Sequence, residues 1–558
     1  MTLYQPTTEA NPADRETNYT FTLIFSTFVA VLGNSFLYGY NIGVVNTPAL
    51  IIQEFYRKVY FERAGGNYGN LQDFDRQLIS KNFTFENGTL RANQSEIDDL
   101  SNKLGVDHSL LLEKWEIELL WSTTVAAFVL FGMIGAFTSA KVADFFGRKK
   151  GMIVITFVMF IAALFGGITK VAASPECLIM SRIFVGLHSG LNVSLAALYL
   201  AEISPKKIRG AIGTCHQLAI TVGILSSQIL GLNELLGTVD LWPWLFAFNA
   251  VPLFIHLVCW PLCPESPRYL LIKRNEEQEA TNALRKLRGY DDVEDEIEEM
   301  RIESKRSVSG TNFSMHQLLT TPELRFPTVV ACLLQVTQQW SGINAVMSYS
   351  TFIFGQAQVP VDKIGYVIVG TGSINVLCTV IAVPLMEKLG RRPLLLWPMC
   401  MMAISFLLMT VFINLQFNVD LAEHHSTFAM ICIVLMHIYV IGFALGLGPI
   451  PFILVSEIFR QEPRAAAMSL STAFNWICNF VLMLAFPFMK DGLGAYTYLL
   501  FTIILAAAVV FIFFFVPETK NRTFDEIVAS LGLTRGRGPK SSYKFPDEAE
   551  LQPMGDKV

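Results

Sequence analysis

Asp144-Phe-Phe-Gly147-Arg148-Lys149-Lys150 lies between two long apolar runs, and Glu387-Lys-Leu-Gly390-Arg391-Arg392 lies between two more. Each opens a series of charged landmarks. After the first come Glu202-Ile-Ser-Pro205-Lys-Lys-Ile-Arg209-Gly210 and Pro264-Glu265-Ser266-Pro267-Arg268. After the second come Glu457-Ile-Phe-Arg460-Gln-Glu-Pro-Arg464 and Pro517-Glu518-Thr519-Lys520. The order is the same and the offset is roughly 250 residues, so the chain contains an internal repeat. A membrane chain made of two such halves has the plan of a carrier, because a site at the repeat interface can open to either side.

The 558 residues are 52% hydrophobic and 16% charged, with a mean hydropathy of +0.44. That is too apolar for a soluble chain of this length. Runs of bilayer-spanning length recur at 21–46, 117–140, 151–170, 178–201, 211–232, 243–262, 327–355, 364–386, 393–415, 427–455, 466–489 and 494–516. The expected fold is an all-α integral membrane protein with about twelve transmembrane helices in two pseudo-symmetric six-helix bundles. The expected division is a cytosolic tail at 1–20, a first bundle at 21–264, a cytosolic helical linker at 265–326, a second bundle at 327–516 and a cytosolic tail at 517–558. No cleavable leader pattern is evident, since the first residues are polar and the first apolar run is of spanning length. The nine cysteines fall in or beside apolar runs without metal-ligand spacing, and read as small packing residues; no metal site is expected. The net charge of −5 averages over both sides and decides little.

Short loops at 144–150, 204–209, 387–392 and 460–464 are rich in Lys and Arg, which places them and both termini in the cytosol. The long loop 50–116 is then extracellular. It carries three acceptor sequons, at Asn82, Asn87 and Asn93, which suit glycosylation on that side. The linker stretch from Asn275 to Arg288 is charged and helix-prone, as expected of amphipathic helices under the cytosolic face.

No Asp or Glu falls in the middle of any run. A proton-driven carrier needs a protonatable group on its path, so this census favours uncoupled transport. The interior polar groups are neutral amides instead: Gln217 and Gln228 beside His216 in the fifth run, Gln335, Gln338, Gln339 and Asn344 in the seventh, Asn375 in the eighth, and Asn475 and Asn479 in the eleventh. A side-chain amide both donates and accepts, as a sugar hydroxyl does. Phe443, Phe452 and Trp476 offer apolar faces for the C–H side of a pyranose. The plainer alternative is that these amides tie helices together. Ser341-Gly-Ile-Asn344 and Gly446-Leu-Gly-Pro-Ile-Pro451 are expected helix breaks, where a gate can hinge or a static kink can sit.

With these residues in view, the chain resembles the facilitative hexose transporters of the sugar-porter branch of the major facilitator superfamily. The motifs are Tyr38-Gly-Tyr-Asn-Ile-Gly43, Asp144-Phe-Phe-Gly-Arg148, Pro264-Glu-Ser-Pro-Arg268, Gln338-Gln-Trp-Ser-Gly-Ile-Asn344 and Pro517-Glu-Thr-Lys520. The run from Lys286 to Val293 is similar to the vertebrate glucose-carrier subgroup. The resemblance implies a central sugar site and rocker-type alternating access. It implies sugar contacts at Gln217, Ile224, Gln338, Gln339, Asn344, Asn375, Phe452, Trp476 and Asn479, with Tyr349 closing the outer side. It further implies cytosolic ion pairs among Arg148, Glu202, Arg209, Arg391, Arg392, Glu457 and Arg464 that hold the outward-open state and break when the inner side opens. Proton-coupled relatives carry Asp at the position of Asn41, paired with the arginine matching Arg182, and Asn cannot release that proton.

Three departures bear on the substrate. Glucose-selective members have Glu at the position of Ala444, Trp at that of Phe452, and Gln-Leu-Ser where this chain has Gln335-Val-Thr337. The fructose-selective branch has the Ala-Leu-Gly found here at 444–446 but lacks the His216-Gln217 pair. Ala197 replaces a proline usual in span four. The resulting expectation is a plasma-membrane uniporter for glucose, with galactose, mannose and fructose as further candidates. The alternatives are a proton-coupled sugar symporter and a nontransporting sugar sensor. The expected partners are the sugar and the lipid bilayer; nucleic acid is not among them. No nucleophile–base pair, metal-ligand cluster or phosphate loop lies at the centre, so neither enzymatic activity nor a cofactor is expected.

Overall fold

The computed structural model describes residues 20–73, 85–86, 89–90, 110, 112–205, 208–309, 315–416, 424–459, 461–520, 522 and 527. Apart from a hairpin pairing Phe85–Glu86 with Thr89–Leu90, its regular structure is helical.

The first half holds six spans: α1 (Phe21–Gly43), α3 (Lys114–Phe146), α4 (Arg148–Ile168), α5 (Pro175–Ile203), α6 (Arg209–Leu230) and α7 (Trp242–Leu262). Helix α2 (Ala49–Arg63) stands between the first two, on the stretch expected to be loop. It is held because Ile52, Tyr56 and Val59 are buried along one face and Arg63 pairs with Glu176 at 2.6 Å. The linker forms α8 (Glu277–Arg288), α9 (Glu294–Ser309) and α10 (Met315–Thr320). The second half repeats the plan with α11 (Pro322–Trp340) and α12 (Ile343–Gln356) as one broken span. Then come α13 (Val361–Leu389), α14 (Arg391–Gln416), the broken pair α15 (His425–Leu445) and α16 (Ile450–Ile458), α17 (Gln461–Leu493) and α18 (Tyr496–Phe515).

Among the described residues ten helices are long and apolar enough to cross a membrane. The two remaining spans are α6 and the broken α11–α12, which carry His216, Gln217, Gln228 and the glutamines at 335, 338 and 339. Amides that lower the apolarity of a span are tolerable only where it faces protein or a cavity instead of lipid. The lipid side is marked by exposed Phe, Leu and Ile along the outer helices, Phe157, Leu164, Phe254 and Phe514 among them.

Packing repeats between the halves. Helix α3 lies against α5 as α13 does against α15, and α6 lies against the outer part of α1 as α17 does against α11. The close approach of α3 and α5 depends on small residues: a Cβ on Gly190 would sit 1.9 Å from the Gly132 carbonyl oxygen. The halves meet where α17 crosses α3 and where α6 crosses α13. The linker has a small core of its own, with Leu271, Ala280, Leu284, Val293 and Ile297 buried together. It is pinned under the first half by Arg288, which holds Glu296 and donates to the Ile203 carbonyl at 2.8 Å. Helix α5 is continuous for 29 residues; with Ala197 in place of proline, the backbone ladder there keeps its donor.

Candidate functional site

The centre of the second half is built on two helix breaks. Gly342 has φ +93° and separates α11 from α12. The Gly446–Pro449 stretch separates α15 from α16. Breaking a helix strips carbonyl oxygens of their i+4 donors. The Gln338 amide takes two of them, donating to the Leu447 and Gly448 carbonyls at 2.7 and 2.9 Å.

That bond starts a network. Asn475 of α17 donates to the oxygens of Gln335 and Gln338 at 2.8 and 2.7 Å. Gln339 donates to Asn475 at 2.8 Å, and Asn344 donates to Gln339 at 2.5 Å. Residues 335, 338 and 339 share one face of α11 through their i+3 and i+4 spacing. Four polar atoms at this level remain open: Gln335 Nε2, Asn479 Oδ1 and, on the facing α6, both the nitrogen and the oxygen of the Gln228 amide. The amides therefore tie helices together and still leave donors and acceptors without partners.

Trp476 projects from α17 across the seam. It is nearly buried, its ring centroid is 6.3 Å from that of Tyr38, and a Cβ on Gly132 would meet it at 2.5 Å. Ile224 and Asn375 are buried on α6 and α13, Gln217 is half-buried on α6, and Phe452 is partly exposed on α16. Among the described residues no side-chain hydrogen bond joins Gln217, Asn375 or Asn479 to the amide network. His216 is engaged with Ser35 at 2.6 Å.

Tyr349 is buried at a kink within α12, where its φ and ψ are −125° and 19°. Its hydroxyl donates to the Met483 carbonyl at 3.0 Å and its ring leans on Phe486 at 5.2 Å. Two residues on, the Thr351 backbone N–H donates to Asn46 Oδ1 at 3.1 Å, and the Thr351 hydroxyl donates to the Asn46 carbonyl at 2.8 Å. A second bridge runs from the Tyr366 hydroxyl to Glu234 at 2.7 Å. Both bridges cross between the halves, and both lie at the ends of the spans that the loop charges place outside. The sequence reading did not single out Asn46 or Thr351. The available signal was a lone amide two residues before Pro48, at the end of an apolar run.

On the opposite side, the arginine–glutamate pairs stay within one half each. Arg148 holds Glu202 through Nε and Nη2 at 2.8 and 2.7 Å. Arg391 holds Glu457 at 3.1 and 2.8 Å. Arg464 donates to the Phe459 carbonyl, and Arg392 to that of Phe513. Arg148–Glu202 and Arg391–Glu457 thus each join spans of one half, and a bond inside one bundle does not measure the gap between bundles. The Arg209 side chain, Asn82, Asn87 and Asn93 lie outside the described residues.

Arg182 is fully buried, 4.5 Å over the Phe128 ring, and donates to the Asn41 backbone carbonyl at 2.9 Å. The Asn41 side chain pairs with Asn249 at 2.7 Å. Among the described residues no carboxylate forms an ion pair with this cation.

Residues 26–531 match the family model described as sugar (and other) transporter. The chain is 39% identical over 513 residues to the solute carrier family 2, facilitated glucose transporter member 3, of Ovis aries, covering 92% of this chain and 93% of the relative. It is 37% identical over 540 residues to member 5 of Homo sapiens, covering 97% of each. Among solved structures it is similar to the inward-open xylose transporter XylE from E. coli, with a TM-score of 0.67 and 22% identity over 91% of this chain and 99% of that one. At that identity the likeness concerns the major facilitator fold.

Proposed function

We propose, since this chain belongs to the sugar (and other) transporter family, that it is a facilitative hexose carrier with D-glucose as its first substrate. It is a multi-pass membrane protein and not an enzyme. In this reading it sits in the plasma membrane with both termini cytosolic, and moves sugar down its gradient by alternating access between its halves. Galactose, mannose and fructose are the competing substrates, and the similar identities to members 3 and 5 leave that choice to experiment.

The observation that carries the proposal is a central network made of neutral amides, with Arg182 bonded to a backbone carbonyl in place of a carboxylate. An entering sugar exchanges amide–amide hydrogen bonds for amide–hydroxyl bonds. Such exchanges are close to balanced, since a net hydrogen bond is worth only about 0.5–1.5 kcal/mol. Binding built this way is specific in direction yet weak enough to release, as a carrier requires. The Gln339–Asn344 and Gln338–Asn475 bonds are the ones a ring bound between α11 and α17 would exchange. The Asn46–Thr351 bridge and Tyr349 serve the outer gate, while the cytosolic ion pairs keep each half rigid as it rocks.

The test is uptake of labelled glucose and fructose, in parallel, into proteoliposomes holding this protein alone, with and without a protonophore. Glucose should equilibrate without concentrating and ignore the protonophore. Uptake at the no-protein level removes the transport claim, and collapse with the protonophore replaces uniport by proton coupling.

A further inference from the structure

Gln228 is a polar side chain that the central network leaves aside. It lies on α6, two residues from the outer end, with 0% of its surface exposed. Neither its amide nitrogen nor its amide oxygen has a hydrogen-bond partner. Buried polar groups are nearly always paired, and an unpaired one calls for a ligand, a water or a strained role.

Its surroundings favour a ligand. Gln217, Ile224 and Gln228 are spaced by seven and four residues and so share a face of α6. Gln228 thus stands one turn beyond Ile224, a candidate sugar contact, toward the outer side. Across the seam is Gly372 of α13, where a Cβ would meet Gln228 Oε1 at 2.0 Å. The glycine makes room for the amide but offers no side chain to bind it. Asn375, another candidate contact, lies three residues further along α13 on the same face. Outward, the seam is closed by the Glu234–Tyr366 bridge. An amide with open donors and an open acceptor therefore sits between the candidate sugar site and the outer gate, and the facing helix provides nothing to satisfy it. A neutral polyol hydroxyl, which donates and accepts at one atom, complements it.

We infer that Gln228 is a further sugar-contacting and specificity-determining residue, which binds a hydroxyl of the hexose at the outer rim of the cavity. This rests on the hexose-carrier reading above. Gln228 receives the sugar when the outer seam is parted, and hands it to the Gln338–Asn344 network as α6 closes on α13.

The experiment compares wild type, Gln228→Leu and Gln228→Met in proteoliposomes, using D-glucose and its monodeoxy analogues. The expected result is a KM raised about 3- to 10-fold in both variants, the loss of one neutral hydrogen bond, with an unchanged elution profile. One deoxy position that weakens uptake by the wild type should cost the variants nothing further, which a merely structural role would not produce. The methionine variant keeps the length of the side chain and guards against misfolding of the leucine variant. If wild type moves no hexose, the carrier reading falls and this inference with it. If wild type transports and the variants keep its KM, or show the same analogue profile, Gln228 is not a sugar contact and the carrier reading stands.

Discussion

Glu265 and Glu518 hold the same place in the two halves and behave differently. Each caps the first turn of a span that begins after a left-handed glycine: Gly147 at φ +81° before α4, and Gly390 at φ +91° before α14. Both oxygens of Glu265 accept from the Lys149 N–H, at 3.0 and 3.1 Å. Glu518 accepts from the N–H groups of Arg391 and Arg392, each at 3.0 Å. A carboxylate at a helix N-terminus is favoured by the exposed amides there. Burial nevertheless raises the Glu265 carboxyl above the usual glutamate range, against the opposing pull of the Ser266 and Lys149 N–H groups and of Arg148. Burial pushes Glu518 up too, but the N–H groups of Lys520, Arg391, Arg392 and Thr519 outweigh it and leave that carboxyl below the usual range. The motif is shared; the depth of burial and the number of donors are not.

The neighbouring ion pairs differ in the same sense. Arg148 and Glu202 form a two-pronged pair with side chains only 9% and 10% exposed, and Tyr269 covers the guanidinium. Arg391 and Glu457 are 20% and 26% exposed, and Glu457 is shared with the Thr519 hydroxyl at 2.5 Å. The first half is sheltered by the linker helices, whereas the second is braced by its own following segment. The largest effect is therefore expected from Arg148→Ala, which leaves Glu202 buried and unpaired. It should destabilise by about 3–5 kcal/mol. Arg391→Ala should cost about 1–2 kcal/mol, since its partner keeps a hydroxyl and some water. Thermal unfolding of the purified proteins in detergent measures both, and equal losses would break the comparison.

Next come the glycines. Gly147→Ala would bring a Cβ to 2.6 Å from the Tyr269 ring, and Gly390→Ala to 2.7 Å from Glu518 Oε2. Both also force an alanine into a left-handed conformation, so each should cost about 1–3 kcal/mol in the same unfolding assay. Gly390→Ala should in addition make stability less dependent on Glu518, because the displaced carboxylate no longer caps α14; additive effects with Glu518→Gln would refute that link.

The same contrast holds at the proposed sugar site, where the second half holds its amides in a network and Gln217 of the first half stands outside it. Gln338→Leu removes a side chain with three hydrogen bonds and should raise the KM for glucose about 10-fold without loss of folding. Asn344→Ile removes a single bond and should raise it about 3-fold. Glucose uptake at normal KM by both variants would move the site elsewhere.

The smallest effect is in pH. Glu518, with its lowered pKa, contributes stability that is full above the ordinary glutamate range and is lost as pH falls through its own lower value. Glu265, with its raised pKa, has the opposite sign: its contribution is favourable at low pH and is lost as pH rises through its higher value. Glu518→Gln should therefore lower the unfolding temperature at neutral pH, by an amount that shrinks on acidification. Glu265→Gln should be neutral or stabilising at neutral pH. Parallel pH profiles for the two variants would show that the donor count does not distinguish the halves.

Much of this was written locally. The glycine of Ser341-Gly342 and the Gly446–Pro449 stretch break the helices where their backbone chemistry demands, and the linker forms amphipathic helices where its charges and leucines alternate. Asn46 and Thr351 were not legible, because their bridge spans 305 residues and depends on a kink at Tyr349, for which the sequence offers no glycine or proline. The orientation of the ion pairs was likewise hidden. Charged residues at span ends announce a cytosolic face but not whether a partner lies in the same bundle or in the other one.

The amino-acid sequence by itself determined the membrane class, the twofold repeat, the basic character of the short loops and the amide content of the interior, since each follows from composition, spacing or the backbone limits of Gly and Pro. Only the tertiary structure decided which amides satisfy one another and which stay open. Gln338 finds its acceptor 109 residues away and Asn475 finds Gln335 across 140. A hydrogen bond a few ångströms long depends on helix register and rotation, and no local pattern of residues fixes these.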